Sequence, residues 1–168
     1  MTISTNDDHL AVLAVQLSIE LKKNALKLAT AESCTGGGVA WSLTAIPGSS
    51  SWFERGFIVY SNPAKQDMLG VRKQTLDRHG AVSEQVAIEM AEGALLHSAA
   101  DISVAVTGIA GPDGGTPTKP VGTVCFAWQR RGDQGVSTRV HFQGDRAVVR
   151  VMAIGMALQG TLDLIVPA

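Results

Sequence analysis

Short strand-like segments alternate with helical ones along the first half of this chain, and this alternation limits its fold more than any other feature. A helical pattern from about Asn6 to Lys23 precedes the apolar stretch Leu26–Thr30, and a second helical segment, Gly38–Ile46, follows it. Phe53–Tyr60 is rich in aromatic and β-branched residues and predicts a second strand. This order favours an α/β fold, in which helices cover a sheet.

The second half predicts a helix, a strand, a hairpin and a final helix. Ile102–Thr107 is a short continuous apolar run, typical of a buried strand. The other predicted bounds are about Ser83–Ala100 for the helix, Val121–Arg130 and Val136–Phe142 for the hairpin, and Asp145–Leu164 for the last helix, with Val148, Val151, Met152 and Leu158 inward. We therefore expect a three-layer α/β/α sandwich with a mixed, mostly parallel sheet.

Length, composition and charge limit the classes of protein to which this chain can belong. A length of 168 residues and a hydrophobic fraction of 45% suit one domain, which we expect to cover residues 1–168. The net charge of −1 gives no support for coating nucleic acid or a membrane surface. The N-terminus carries acidic residues where a secretory signal carries basic ones. We also expect no membrane span, because no apolar run approaches the roughly 18 residues that a bilayer span needs. A cytoplasmic protein is predicted.

Neither the cysteines nor the histidines are spaced as metal ligands. Cys34 and Cys125 have no CxxC partner, and the histidines lack HxxxH spacing. The histidines are His9, His79, His97 and His141. The sequence predicts metal-independent chemistry, and we expect no cofactor.

Three loops at expected strand ends combine small residues with reactive or anion-binding ones. They cover residues 32–38, 61–65 and 107–116. Sites in α/β sheets gather where strands end and helices begin, because helix N-termini present unpaired N–H groups and partial positive charge. A site built from these three loops is therefore predicted.

The first loop belongs to the stretch TAESCTGGG, residues 30–38, and holds a serine directly after a strand. Ser33 is a candidate nucleophile. Gly36, Gly37 and Gly38 have no side chain to keep a phosphate or an oxyanion from their N–H groups. The alternative is a plain strand-to-helix turn, since the stretch matches neither GxSxG nor GxxxxGK[ST].

A serine hydroxyl needs a base to become a nucleophile. No histidine falls in the three loops, so Lys65, in the first turn of an expected helix, is the candidate base if burial lowers its pKa. Tyr60 could relay or orient the proton. The alternative is a lysine on the surface. Cys34 is either a rival nucleophile or a small buried side chain.

Candidate substrate-binding groups lie in the loops and the last helix. Ser50 could bind a hydroxyl or phosphate, or belong to a turn. The stretch from Thr107 through Gly108 to Gly111 leaves its amides free, as an anion-binding nest does. Arg146 and Arg150, four apart, could hold a phosphate or form surface salt bridges.

Five separated stretches occur in a distinctive order: TAESCTGGG, PGSSSWFERGFIVYSNPAK, GAVSEQVAIEMAEGA, VAVTGIAGPDGGTPTKPVGTV and FQGDRAVVR. Together they resemble the C-terminal domain family of the CinA competence/damage-inducible proteins, from about residue 10 to residue 163. The resemblance implies an α/β/α fold and an amidohydrolase of pyridine nucleotide salvage. Such an enzyme converts nicotinamide mononucleotide and water to nicotinate mononucleotide and ammonia, by a serine–lysine mechanism without metal.

The resemblance also implies roles for single residues. Ser33, Lys65 and Tyr60 correspond to the catalytic serine, lysine and tyrosine of the family motifs. The substrate-binding candidates, from the motifs and the loops together, are Gly36, Gly37, Ser50, Thr107, Gly108, Gly111 and Arg146. The chain departs from the family in lacking the large N-terminal domain, similar to molybdopterin-binding proteins, that many members carry, and in Pro63, where an acidic residue is common.

Two other functions stay open from the sequence. A nucleotide-binding regulatory module, linked to competence or DNA damage, would keep the pocket without turnover. An amidohydrolase could also act on a different nucleotide through Cys34. The expected partner is nicotinamide mononucleotide, with no nucleic acid or membrane. The apolar last helix could also pack against a second copy, so we expect a homodimer or higher homo-oligomer.

Overall fold

The computed structural model describes residues 5–166, and its elements follow the predicted order with one addition. The elements are α1 (Thr5–Lys23), β1 (Leu28–Glu32), α2 (Gly38–Thr44), β2 (Phe53–Ile58), α3 (Asn62–Leu69), α4 (Lys73–His79), α5 (Glu84–Leu96), β3 (Ile102–Gly108), β4 (Thr123–Arg130), β5 (Val136–His141) and α6 (Arg146–Ile165). A short 3₁₀ turn, Ser49–Ser51, lies between α2 and β2.

The five strands form one mixed sheet in the order β2-β1-β3-β4-β5. β1 pairs in parallel with both β2 and β3, whereas β4 is antiparallel to β3 and β5. The predicted mixed sheet is confirmed, although only two of its four pairings are parallel, because the hairpin contributes the other two.

Helices cover both faces of the sheet, which confirms the three-layer sandwich. Core residues of α1, α2 and α6 pack on one face, and those of α3, α4 and α5 pack on the other. β1 and β3 lie inside the sheet, so neighbouring residues of each strand enter opposite cores: Val104 joins the first and Ala105 the second. Strands buried on both faces therefore have the continuous apolar sequence seen here.

α4 is the element that the sequence did not predict. Its seven residues, KQTLDRH, contain one large apolar side chain, Leu76, so they give no helical periodicity. The buried Glu89 of α5 holds α4 in place, since it accepts hydrogen bonds from Thr75 Oγ1 at 2.6 Å and from the Arg72 main-chain N–H at 2.8 Å.

Of the four α6 residues predicted to point inward, Leu158 is buried and Val151 packs against the core, whereas the other two are exposed. Val148 and Met152 are 38% and 44% exposed, whereas Val149, Ala153 and Ala157 are buried. With 20 residues and a mean hydropathy of 1.5, α6 is also long and apolar enough to cross a bilayer, contrary to the expectation that no segment would be. Its buried face is part of the core.

Candidate active site

Ser33 lies directly after β1, where the chain turns towards α2. Its main-chain N–H donates to the Val106 carbonyl oxygen at 2.9 Å, which continues the pairing of β1 with β3 beyond the last strand residue. The side chain is largely buried. Ser33 is thus attached to the rigid centre of the sheet, as a group that must hold a fixed position in a reaction should be.

Lys65 reaches Ser33 from α3. The helix begins after Ser61, whose Oγ accepts from the Ala64 N–H at 3.2 Å. The Lys65 side chain is 1% exposed, and its Nζ lies 3.1 Å from Ser33 Oγ. The alternative of a surface lysine is therefore wrong.

Two main-chain carbonyls complete the surroundings of the Lys65 amine. Nζ donates to the oxygens of Val59 at 2.9 Å and of Tyr60 at 3.2 Å. Burial lowers the pKa of Lys65, and the nearby Cys34 opposes this only in part. No carboxylate forms an ion pair with Lys65 within residues 5–166. The neutral form of the Lys65 amine is therefore more favoured in this site than it is for a lysine in water.

The neutral amine matches these three neighbours. It has two N–H groups and one lone pair, and carbonyl oxygens can only accept. With the N–H groups on Val59 and Tyr60, the lone pair is left for the hydroxyl proton of Ser33. The geometry therefore suits transfer of that proton to Lys65.

The phenol of Tyr60 contacts a different residue. Its hydroxyl accepts a hydrogen bond from Arg146 Nη2 at 3.1 Å, and the side chain is 58% exposed. Among the described residues the hydroxyl makes no hydrogen bond to Ser33 or Lys65. Only the main-chain carbonyl of Tyr60 contacts the amine.

Cys34 packs as a small apolar side chain. Its thiol is buried, and burial raises its pKa to about 11. Sγ lies against β3, so close that a β-carbon added at Gly108 would be 3.1 Å from it. The thiol is therefore protonated at neutral pH and lacks the thiolate character of reactive cysteines.

The three glycine N–H groups of the turn, expected to be free, all have acceptors. They donate from Gly36 to the Ser33 carbonyl (3.0 Å), from Gly37 to the Glu32 carboxylate (3.1 Å) and from Gly38 to the Thr35 carbonyl (3.1 Å). The N–H groups of Cys34 and Thr35 have no acceptor within residues 5–166. Any oxyanion contact from this turn must therefore come from these two. Gly37 itself adopts φ 93°, which favours glycine.

Glu32 and Arg150 both stabilise the turn after Ser33. The Glu32 carboxylate binds the first turn of α2, and Arg150 Nη2 donates to the Thr35 carbonyl at 3.0 Å. Arg150 thus contacts the turn after Ser33, whereas Arg146 contacts Gly111 and Tyr60. The sequence analysis missed Glu32, although an acid just before a helix N-terminus is a known stabilising pattern.

The loop after β3 is attached to its surroundings mainly through its carbonyl oxygens. Arg146 Nη1 donates to Gly111 at 2.9 Å, and His141 Nε2 lies 2.9 Å from the Val121 oxygen. Arg139 donates to the Thr118 oxygen. Lys119 in turn donates to the His79 oxygen at 2.6 Å. Residues 112–118 between these attachments are exposed.

The predicted binding residues of this loop have unequal roles. The Thr107 hydroxyl is buried and donates to the Ala81 carbonyl at 2.9 Å, so it fastens β3 to the segment before α5. The N–H groups of Ala110 and Gly111 have no acceptor in the described part of the chain. They lie beside a cleft of about 500 Å³ that Arg146 also lines.

Ser50 lies far from these residues. The 3₁₀ turn that contains it precedes β2, and Leu28 at the start of β1 donates to the Trp52 carbonyl at 2.8 Å. Ser33 follows the other end of β1. The structure therefore does not bring Ser50 to the predicted cluster, because α2 carries the chain back along the sheet.

Within residues 5–166, no three His, Cys, Asp or Glu side chains are grouped in a way that could hold a metal ion. The residues that the structure brings together are Ser33, Lys65, Tyr60 and Arg146, with the free amides of two loops.

Comparisons with known proteins identify the family of the chain. The family model described as CinA C-terminal domain matches residues 10–165. The nicotinamide-nucleotide amidohydrolase PncC of Escherichia coli K12 is 54% identical over 153 residues, which are 91% of this chain and 93% of that protein. PncC of Pseudomonas putida is 47% identical over 157 residues, 94% and 98% of the two chains. The crystal structure of the competence/damage inducible protein CihA from Agrobacterium tumefaciens superposes with a TM-score of 0.92 at 42% identity, covering 98% of this chain and 99% of that one.

Proposed function

The chain belongs to the CinA C-terminal domain family, and we propose that it hydrolyses the carboxamide of nicotinamide mononucleotide to give nicotinate mononucleotide and ammonia. The relatives named as nicotinamide-nucleotide amidohydrolases match it over more than nine-tenths of its length. We further propose a serine–lysine mechanism. Its main support is the 3.1 Å distance between Lys65 Nζ and Ser33 Oγ in a buried environment.

Acylation of Ser33 is the first chemical step of this mechanism. Neutral Lys65 accepts the hydroxyl proton, and Ser33 Oγ forms a bond to the carboxamide carbon. The carbonyl π electrons move to oxygen and give a tetrahedral oxyanion. The C–N bond then breaks, the nitrogen takes the proton from Lys65, and ammonia leaves.

The oxyanion needs donors beside Ser33, and two are free. The N–H groups of Cys34 and Thr35 directly follow the nucleophile. The Ser33 carbonyl accepts from Gly36, and in a trans peptide the N–H of Cys34 points in the opposite direction from that carbonyl. A well-placed donor of this kind contributes about 3 kcal/mol to the stability of the transition state.

Hydrolysis of the acyl-enzyme repeats the same proton transfers with water. Lys65, neutral again after ammonia has left, accepts a proton from water, and the water oxygen attacks the ester carbon. The C–Oγ bond breaks, and Lys65 returns the proton to Ser33. The product leaves as the carboxylic acid, which releases its remaining proton to water and becomes the carboxylate of nicotinate mononucleotide.

The substrate phosphate is assigned to Arg146 and the third loop. Arg146 is exposed and already donates to Gly111 and Tyr60, and its remaining N–H groups can bind phosphate oxygens. Ala110 lines the same cleft as Arg146, and its N–H and that of the next residue, Gly111, have no acceptor within residues 5–166. Arginine paired with main-chain amides is a common way to hold a phosphate.

The direct test is release of ammonia from nicotinamide mononucleotide by the purified protein, with a chelator present. Ammonia release by the wild type, lost in Ser33→Ala, is the expected result. Binding of the nucleotide without release would favour the regulatory module instead. Neither binding nor release would mean that the substrate of the named relatives does not apply to this chain.

A further inference from the structure

Glu32, the residue before Ser33, carries a buried carboxylate that the serine–lysine mechanism leaves without a role. Its side chain is 1% exposed. Oε2 accepts from Thr35 Oγ1 at 2.7 Å and from the N–H groups of Gly37 and Val39 at 3.1 and 3.0 Å, and Oε1 accepts from the Ala40 N–H at 2.8 Å. Among the described residues no cation forms an ion pair with it.

A buried carboxylate without a cation needs strong hydrogen-bond donors, because burial removes its contacts with water. Glu32 obtains them from the start of α2, where N–H groups are unpaired and the helix carries partial positive charge. Both of its oxygens are already engaged, so Glu32 is poorly placed to accept a proton from Ser33 or from water. A role in the reaction must be indirect.

The contacts of Glu32 decide which amides of the turn are free. The carboxylate takes the N–H of Gly37 and, through the hydroxyl of Thr35, fixes the middle of the turn. Arg150 Nη2 donates to the Thr35 carbonyl and so also holds this part of the turn. Of the N–H groups of this turn, those of Cys34 and Thr35 are left without an acceptor within residues 5–166, and both follow the nucleophile directly.

We propose that Glu32 is a positioning residue, which holds the Cys34 and Thr35 amides in place for the oxyanion and Ser33 Oγ in place for Lys65. It acts through the turn and does not touch the substrate. This inference rests on the proposed function, because it assigns Glu32 a part in the same reaction.

The test compares two buried glutamates. Glu32→Gln keeps the size of the side chain but puts an NH₂ group against main-chain donors. Glu89→Gln makes the same change at a buried carboxylate that binds Thr75 and Arg72 and lies outside the site. Steady-state kinetics with nicotinamide mononucleotide, a pH profile and a melting temperature are measured for both variants.

We expect kcat of Glu32→Gln to fall roughly a hundredfold, as when an oxyanion donor is lost, with KM within about twofold of the wild type. The pH profile should keep its position, because Glu32 does not contact Lys65. Glu89→Gln should melt at a lower temperature and keep kcat. A wild-type kcat in Glu32→Gln, with a lower melting temperature only, would reduce Glu32 to a structural residue.

If Glu32→Gln does not fold, Glu32→Asp replaces it in the kinetic test. It keeps the charge but shortens the reach, so the carboxylate cannot bridge the turn and α2 together. A lowered kcat supports the proposal, and an unchanged kcat overturns it.

Crystal structures separate this inference from the choice of substrate. If the wild type releases no ammonia from nicotinamide mononucleotide, the proposed substrate is wrong, but wild-type and Glu32→Gln structures still test Glu32. Rotation of the Cys34 or Thr35 amide, or a longer Ser33–Lys65 distance, supports the proposal. An unchanged turn contradicts it.

Discussion

Arg146 Nη2 lies 3.1 Å from the hydroxyl oxygen of Tyr60, although 86 positions separate the two residues in the sequence. The contact joins the start of α6 to the segment between β2 and α3, and the same guanidinium also holds Gly111. Both side chains are exposed, and the main-chain carbonyl of Tyr60 contacts the Lys65 amine, so the two residues are the first to test for contact with the substrate.

Tyr60→Phe tests whether the phenol transfers protons. The variant keeps the main-chain carbonyl that binds Lys65 and loses only the hydroxyl on Arg146. We expect KM to rise, because Arg146 loses a partner, and kcat to stay within roughly tenfold, because the hydroxyl does not contact Ser33 or Lys65. A loss of kcat beyond about a hundredfold would instead show Tyr60 to be a proton relay.

Arg146→Met should weaken substrate binding by roughly 10- to 100-fold, because a charge-assisted contact to phosphate is lost. Kd measured by calorimetry in the inactive Ser33→Ala background checks this directly. Arg130→Met is the matched control, since Arg130 is also exposed but pairs with Ile102 at the start of β3. Equal weakening by both changes would exclude Arg146 as a specific ligand.

Lys65→Arg should lower kcat by about a hundredfold or more, because arginine stays protonated and cannot act as a base. In the wild type, kcat/KM should rise with pH while Lys65 loses its proton, and level off below the ordinary lysine pKa. The sign follows from burial, which lowers that pKa and so favours the active neutral amine. An activity that falls over this range would contradict a lysine base.

Cys34→Ala should keep most of the activity, whereas Ser33→Ala should lose it. The buried Cys34 thiol, with its pKa raised to about 11, should also react slowly with iodoacetamide in the folded protein. Initial rates of ammonia release and mass spectrometry of the labelled protein provide the check. Loss of turnover in Cys34→Ala, with turnover retained in Ser33→Ala, would identify Cys34 as the nucleophile.

Gly108→Ala should destabilise the protein by about 1–3 kcal/mol, as overpacking does. The new β-carbon would lie 2.8 Å from Val124 Cγ2 and 3.0 Å from the Thr123 carbonyl oxygen. Gly135→Ala is the control, because its nearest neighbour would be an ordinary 3.4 Å away. Urea unfolding compares the two, and equal stabilities would mean that β3 and β4 adjust at no cost.

The sequence was sufficient to predict the layers of the fold and the Ser33–Lys65 pair. Both depend on local signals: apolar runs predict strands, and Ser61 with Pro63 sets the start of α3, and hence the position of Lys65. The location of Ser50 apart from this pair could not be predicted, because it depends on the path of α2 along the sheet, which no local pattern contains.

The glycine amides could not be assigned from the sequence for another reason. TAESCTGGG indicates that N–H groups are available near Ser33, but only three-dimensional geometry shows that the Glu32 side chain folds back onto Gly37, Val39 and Ala40. Arg150 was likewise grouped with Arg146 from their spacing, whereas its contact is the Thr35 carbonyl 115 positions away.

The loop between β3 and β4 is held mainly through its carbonyl oxygens, which every amino acid possesses. The exposed side chains of Asp113, Pro117 and Thr118 can therefore change without loss of these attachments, while Arg139, His141 and Arg146 remain in the body of the fold. Gly115 is excluded, because an added β-carbon would lie 2.8 Å from the Val121 main-chain nitrogen. The exposed segment can therefore vary in sequence while the residues that hold it in place stay the same. Libraries confined to it offer a route to amidases with new nucleotide preferences.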